Sequence, residues 1–306
     1  MIPNFPQFKN IELSDRTEIE SFTKKFPPYS DFNFTSMWCW DLDGEIEISR
    51  FNESLLVIFP DYITGEKFFS FIGPNNSDPL LQTILSNTDS LGMDKIIKLL
   101  PEPMIQSIDE SLYIIQEDRD HFDYILSIEK LRFHDGVQRP LSTRRLMIEK
   151  LKKNNKIVVR PIDIQNQSIQ QQIRSVFDEW EVERGSSPET TEKLKFAIER
   201  LFEMNTCQQI RSFGAYTEDQ LVGYSINELT HTEYAVGHFQ QANLKIDKQI
   251  YALLMQETAT SLGEEGCKYI NIEQDLGIDG LRKWKTSYQP VFFLKKYKIT
   301  PKSLVD

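Results

Sequence analysis

Short runs of alternating hydrophobic and polar positions fill residues 44–73. EIEISRF and SLLVIFPDYI are rich in β-formers and parted by the turn residues Asn52 and Glu53, and FFSFIG follows TGEK. The pattern predicts an antiparallel meander. The period then changes: in DPLLQTILSNTDSLG, Leu80, Leu81, Ile84, Leu85 and Leu91 recur at helical spacing up to Gly92. MDKIIKLLPEP adds a short strand or helix edge, and SLYIIQEDRDHFDYILSIEKL reads as a strand, an acidic turn and an apolar segment. A helix from about Ser142 carries Met147, Ile148 and Leu151 into LKKNNK, a polar stretch read as a linker. Domains 1–155 and 156–306 are expected.

The second half has a clearer order. KIVVRPI reads as a strand, and the helix after it places Ile169, Ile173, Val176, Phe177 and Trp180 on one face at steps of three and four. ERGSSPE breaks that helix. Pro188 suits the first turn of the next, whose stripe is Leu194, Ala197, Ile198, Leu201 and Phe202. RSFGAYTEDQLVGYSINEL reads as two strands around TEDQ, and TEYAVGHFQQA extends the meander. Asp247 is placed to cap a helix with Tyr251, Leu254, Met255, Thr258 and Leu262 on its apolar face and Gly263 at its end. KYINIE is read as a buried strand and VFFLKKYKI as a last one.

A length of 306 residues suits two cores, and 20 Phe with 11 Tyr supply bulky material for them. No run of about 18 apolar residues and no basic-then-apolar leader is present, so a cytoplasmic protein without a membrane span is expected. Cys39, Cys207 and Cys267 are far apart and read as buried free thiols, and His121, His134 and His231 lack metal-ligand spacing. A net charge of -11 argues against nonspecific nucleic-acid binding, so no DNA partner is expected. Two basic tracts interrupt it. Residues 130–160 hold ten Lys/Arg against Asp135 and Glu149, and residues 282–302 hold seven with no acid. Either tract alone reads as a solvated face; the two together point to an anionic ligand.

The order of elements in the second half, with the hairpin FGAYTEDQLVGYSI, resembles the Gcn5-related N-acyltransferase fold. That implies an α+β chain of two tandem domains of this type, each a mixed, mainly antiparallel sheet flanked by helices. A parallel strand pair splayed open at the middle of such a sheet would expose backbone groups to a ligand. The glycine turn whose amides hold the pyrophosphate of acyl-CoA is replaced here by QQANLKIDKQ.

PPYSDFNFTSMWCW, DHFDYILSIEKL, HFQQAN and NIEQDLGIDGLRKWKTSYQP together resemble the phosphatidylglycerol lysyltransferase C-terminal-like family over most of residues 25–298. The resemblance implies a soluble aminoacyl- or acyltransferase with its site in a cleft between the domains. Aminoacyl-tRNA or acyl-CoA would be the donor substrate, with no other cofactor and no metal, and a small molecule or lipid headgroup the acceptor. A tRNA would contact the chain through its acceptor end. The family's acidic motif is kept as Asn271, Glu273, Asp275 and Gly277, with Ile272 in place of its arginine, and its later run as Gly280, Leu281, Arg282, Lys283, Lys285, Ser287, Tyr288 and Pro290. Its His-x-Glu-Lys-Ala reads His238, Gln240, Gln241 and Ala242, and its Lys-Arg-Asn reads Thr143, Arg144 and Arg145.

Aminoacyl transfer needs a base, a held ester carbonyl and donors for the developing oxyanion. Glu273 or Asp275 is the expected base, Asn271 orients either partner, and His238 is a second base or substrate contact. Arg282, Lys283, Lys285 and Arg144 are expected to hold phosphate or carboxylate, with Tyr288, Gln240 and Trp180 lining the site. Helix capping by Asp275, turns at Gly277 and Gly280 and outward charges at Arg282 and Lys285 are the plainer alternative for part of the motif. Charges exchanged for Ile272, Gln240 and Gln241 keep a second function open: a binding protein with the fold and the anion pocket but no turnover.

Overall fold

The computed structural model of the chain describes residues 1–61, 64–74, 77–132, 141–155, 157–184, 188–204, 208–231 and 233–302. Cys207 and His134 lie outside them. Two compact units result, interleaved in sequence. One comprises residues 1–123, 274–278 and 293–306, the other residues 124–273 and 279–292. The expected cut near residue 155 falls within the second unit, at the end of a helix.

In the first unit the meander forms as the alternation predicts. Glu47–Phe51, Ser54–Pro60 and Lys67–Ile72 pair antiparallel, and Asn52 takes the left-handed conformation of a tight turn. Ile97–Pro101 joins parallel to Lys67–Ile72 through one register pair, Phe69 with Ile97. Lys296–Pro301 and Tyr113–Glu117 complete the far side, so the sheet closes with a strand from the end of the chain. Helix Ser77–Asn87 buries Leu80, Leu81, Ile84 and Leu85 over Leu56, Phe69, Phe71 and Ile97, while Leu91, marked by the same spacing, lies past the helix end and is exposed. Gly92, in left-handed backbone at φ 65°, ends the 3-10 turn that follows.

Lys296 is completely buried in this unit between Asp31 and Asp123, whose carboxylate lies 2.8 Å from its ammonium. Asp123 also accepts from the backbone N–H and hydroxyl of Ser30, and the Gln274 amide donates to Asp31. Burial pushes the Asp31 carboxyl up against the pull of Lys296. One cation thus ties residues 30–31, 123, 274 and 296, far apart in sequence.

The sheet of the second unit runs in the order Phe292–Leu294, Asp123–Ser127, Tyr269–Asn271, Tyr234–Ala242, Gln220–Leu229, Ile210–Thr217, Val158–Pro161. The hairpin over TEDQ forms as expected, with Glu218 in left-handed backbone. Helix Gln167–Arg184 buries Ile173, Val176, Phe177 and Trp180. Each such large apolar side chain contributes roughly 1.5–3 kcal/mol. Helix Ile250–Glu264 is buried over more than one face, because the Gln220–Leu229 strand packs on one side and helix Leu141–Asn155 on another. Gly223 permits that approach: a Cβ there would meet Ile250 Cγ2 at 2.9 Å.

Several expectations change. LKKNNK is mainly the last turn of helix Leu141–Asn155, because Leu151 is buried and keeps the pattern helical. Asp247 binds the Gln249 N–H ahead of the helix start at Ile250, and Gly263 lies inside the helix, whose end is turned at Gly266 with φ 91°. VFFLKKYKI is two strands in different sheets, Phe292–Leu294 and Lys296–Pro301.

Removing the Lys296 ammonium leaves two carboxylates buried without their cation. Lys296→Met is expected to lower stability by about 3–5 kcal/mol in urea unfolding at neutral pH. Unchanged unfolding would show that the cluster does not hold this unit together.

Candidate functional site

The site begins where a parallel pair stops. Tyr234–Ala242 pairs with Tyr269–Asn271 only through Tyr234, Ala235 and Val236, so from Gly237 onward this edge has no partner strand among the described residues. The register on its other side slips at the same place. Ile226 faces Phe239 and Asn227 faces Gly237, which leaves His238 as the extra residue of a β-bulge. A bulge re-aims a side chain, and His238 meets two carboxylates. Its Nε2 is 3.1 Å from Glu228 and its Nδ1 3.4 Å from Glu273.

Glu273 follows the short strand in left-handed backbone, φ 59°, an uncommon conformation for a side chain of this size. Neighbours impose it. The Asn271 side chain accepts from the Glu273 N–H at 2.7 Å, the Glu273 carbonyl accepts from Tyr124, and Lys285 donates to the Ile272 carbonyl at 2.5 Å. Asn271 is wholly buried and Lys285 nearly so. Lys285 therefore holds the strand end, whereas the sequence reading gave it to a phosphate or carboxylate of the ligand.

Burial alone would push the His238 imidazole down, but the hydrogen bonds and charges of Glu228 and Glu273 raise it to about 9. An imidazolium at neutral pH has no lone pair to accept a proton, which removes His238 as a general base. His238 and Glu228 are 3% and 5% exposed while Glu273 is 20% exposed, so a ligand reaches the cluster through Glu273.

An open pocket of about 580 Å³ is lined by Thr143, Arg144, Met147, Leu244, Lys248, Gln249, Tyr251, Ala252, Trp284 and Tyr288. The Arg144 guanidinium lies 3.8 Å over the Tyr288 ring and donates to the Ser287 hydroxyl at 2.5 Å. Its Nη1 is buried without a hydrogen-bond partner among the described residues. Burial pushes the Tyr288 phenol up to about 12 against the pull of Arg144, so it is neutral in the working range. Trp284 stacks edge-on against Tyr288 and Tyr251. Helix Asp279–Thr286 supplies both Trp284 to this pocket and Lys285 to the strand end at Ile272.

The remaining predicted residues divide. Gln240 donates to the Tyr251 carbonyl at 2.9 Å, fixing a pocket wall. Trp180 is 4% exposed, packs on Phe177 and serves the core. Asp275 lies in the first unit, its side chain fully buried, paired with Arg119 at 3.2 Å and accepting from Gly277 N–H. It shapes a turn and is not placed as a base. A Cβ at Gly277 would crowd Asp120 at 3.0 Å, and its φ of 71° also favours glycine. Lys283 is exposed with no ion pair among the described residues, and Arg282 is half-buried.

Sequence reasoning missed Glu228, Tyr251, Trp284 and Lys248 as site residues. Glu228 did carry a signal, a carboxylate within the otherwise buried pattern of QLVGYSINEL. Among the described residues no group of three or more His, Cys, Asp or Glu side chains could hold a metal, and no helix is long and apolar enough to cross a membrane. Cys39 and Cys267 are buried thiols outside any disulfide among the described residues, as expected.

The fold is that of tandem Gcn5-related transferase domains, two seven-stranded mixed sheets flanked by helices. The sequence profile "Phosphatidylglycerol lysyltransferase, C-terminal" matches residues 23–300, and the chain belongs to that family. Among solved structures, it is similar to a conserved protein of unknown function from Bacteroides thetaiotaomicron, with 24% identity, TM-score 0.81, and coverage of 99% of this chain and 100% of that one. L-PGS from Bacillus licheniformis matches at 14% identity and TM-score 0.65, over 99% of this chain and 94% of the other. The C-terminal domain of a lysylphosphatidylglycerol synthetase candidate from Agrobacterium fabrum matches at 10% identity and TM-score 0.65, over 94% and 90%. None of the curated proteins matches the chain in sequence.

The clamp has a pH signature. Because the folded pKa of His238 lies above the unfolded value of 6.5, its stabilisation is fully present below about pH 6.5 and is lost as pH rises through about 9. The loss is on the order of 3 kcal/mol. Imidazole carbon shifts followed by NMR are expected to titrate near pH 9 in the native chain and lower in Glu273→Gln; a His238 titration near 6.5 would contradict the ion triad.

Proposed function

We propose that the chain is an aminoacyltransferase whose base is Glu273. The observation that carries this is a half-buried carboxylate held beside an unpaired strand edge by a buried imidazolium. In this reading the Glu273 carboxylate takes the proton from the acceptor's hydroxyl or amine as that group attacks the ester carbonyl of the donor. Backbone N–H groups along the open edge stabilise the oxyanion. The tetrahedral intermediate collapses by breaking the ester C–O bond, and the carrier's hydroxyl leaves with the proton. Arg144 binds a phosphate of the carrier, and the aromatic walls take its terminal nucleoside.

An aminoacyl ester on tRNA is favoured over acyl-CoA by the loop 243–249. Its amides are already engaged: Leu244 N–H by Glu183 at 2.7 Å, Lys245 and Ile246 N–H by Asn243, and Gln249 N–H by Asp247. Asn243 is itself held by Glu179. Three carboxylates, Glu183, Asp247 and Glu179, thus engage the loop where a pyrophosphate would need free donors. The alternative of a ligand-binding protein without turnover draws on Ile272, Gln240 and Gln241 in place of charged family residues, with Gln240 spent on the Tyr251 carbonyl.

Incubation with a bulk tRNA preparation charged with labelled amino acids separates the two. Transfer of label is expected, falling roughly 10²–10⁴-fold in Glu273→Gln while donor affinity stays within a few fold. Arg144→Ala should weaken donor binding roughly tenfold or more. Binding with no release of label beyond spontaneous hydrolysis would instead establish the non-catalytic reading.

A further inference from the structure

The first unit has an open pocket of its own, of about 640 Å³, for which aminoacyl transfer has no use. Its floor is the margin of the apolar core: Ile58 is 4% exposed, and Phe8 and Met93 pack against the same cluster. Leu91 borders it with 44% of its surface open. That side chain continues the spacing of Leu80, Leu81, Ile84 and Leu85, but the helix stops at Asn87, so Leu91 meets the cavity and not the core. The polar part of the lining is one-sided. Glu47 and Lys67 neutralise each other at 2.9 Å across the strand that carries Ile58. Lys67 is the only cation lining the pocket among the described residues. Glu66 and Asp94 remain, both exposed, one from the turn before strand Lys67–Ile72 and one from the loop before Ile97–Pro101. Neither has an ion-pair partner among the described residues.

We infer that this pocket binds a small organic cation, an ammonium group joined to an apolar body, with the ammonium on Glu66 and Asp94 and the body against Phe8, Leu91 and Met93. The two parts of the lining select it together. Concave apolar surface with a few charged groups at its margin is the usual composition of a small-molecule site. An inorganic cation would leave Leu91 and the floor against water, and a neutral apolar molecule would gain nothing from the carboxylates. Three carboxylates against one lysine repel an anion. This binding does not depend on Glu273, on aminoacyl transfer or on the pocket around Arg144.

The test follows the isotope-labelled methionine methyl groups of the full chain by NMR, because Met93 reports this pocket and Met147 the pocket of the second unit. Phenethylamine is titrated against phenylpropionate, which has the same body but a carboxylate in place of the ammonium. A saturable shift of Met93 is expected with the amine and none with the carboxylate, the amine binding more weakly as salt rises. Methylamine, which lacks the body, should bind roughly tenfold or more weakly. Glu66→Gln with Asp94→Asn should weaken the amine roughly tenfold, and Leu91→Ser roughly threefold. All three side chains are exposed, so both variants keep the fold. Equal binding of amine and carboxylate, no saturable Met93 shift, a shift confined to Met147, or an affinity unchanged in either variant overturns the proposal.

Discussion

A buried cation held between two carboxylates, used once in each unit, is the interaction on which both sheets depend. In the first unit it is Lys296 with Asp31 and Asp123; in the second it is His238 with Glu228 and Glu273. Each cluster ties chain segments that are remote in sequence, and each unit has a parallel strand pair that separates after very few residues. Exposure separates their roles. The Lys296 cluster is sealed, with every charged member at 0–1% exposure, so it acts on the fold alone. In the His238 cluster one carboxylate, Glu273, keeps a fifth of its surface open. The same electrostatic device is therefore sealed in one unit and leaves a carboxylate open to solvent in the other.

The motif at residues 271–290 combines several physical tasks in one stretch. Asn271 and Lys285 set the backbone at Glu273, Asp275 and Gly277 form a turn in the first unit, and Trp284, Ser287 and Tyr288 build the Arg144 side of the pocket. The abrupt reversal of charge along this stretch is thus not one anion clamp. Lys285 is consumed by a carbonyl and Lys283 faces solvent, while the cations that line the pocket are Arg144, from helix Leu141–Asn155, and Lys248, both outside this stretch.

Much of the fold was legible because its periodicities are strong. The meander at residues 44–73, the stripe of Ile173, Val176, Phe177 and Trp180, and the TEDQ hairpin all form as the alternation predicts. What was not legible depends on pairing in space. VFFLKKYKI reads as one strand because a run of apolar and basic residues does not reveal that Lys295 separates strands of two sheets. LKKNNK looks like a linker because its polar composition hides one buried leucine. Of the site, Glu273, Asn271, His238, Arg144 and Tyr288 were visible as chemistry, but the contacts that position them were not. A bulge at His238 cannot be seen in HFQQAN, and the charge state of His238 follows from Glu228, ten residues away on a neighbouring strand.

The account turns on whether the Arg144 pocket and the Glu273 carboxylate act on one ligand. An NMR perturbation map of the chain with a non-hydrolysable aminoacyl-adenosine, amide-linked in place of the ester, tests this most directly. The account predicts saturable shifts of the Trp284 indole and Tyr288 ring together with the His238 imidazole, which reports on its Glu273 partner. Binding that moves Trp284 but leaves His238 untouched, or no saturable binding, would contradict it.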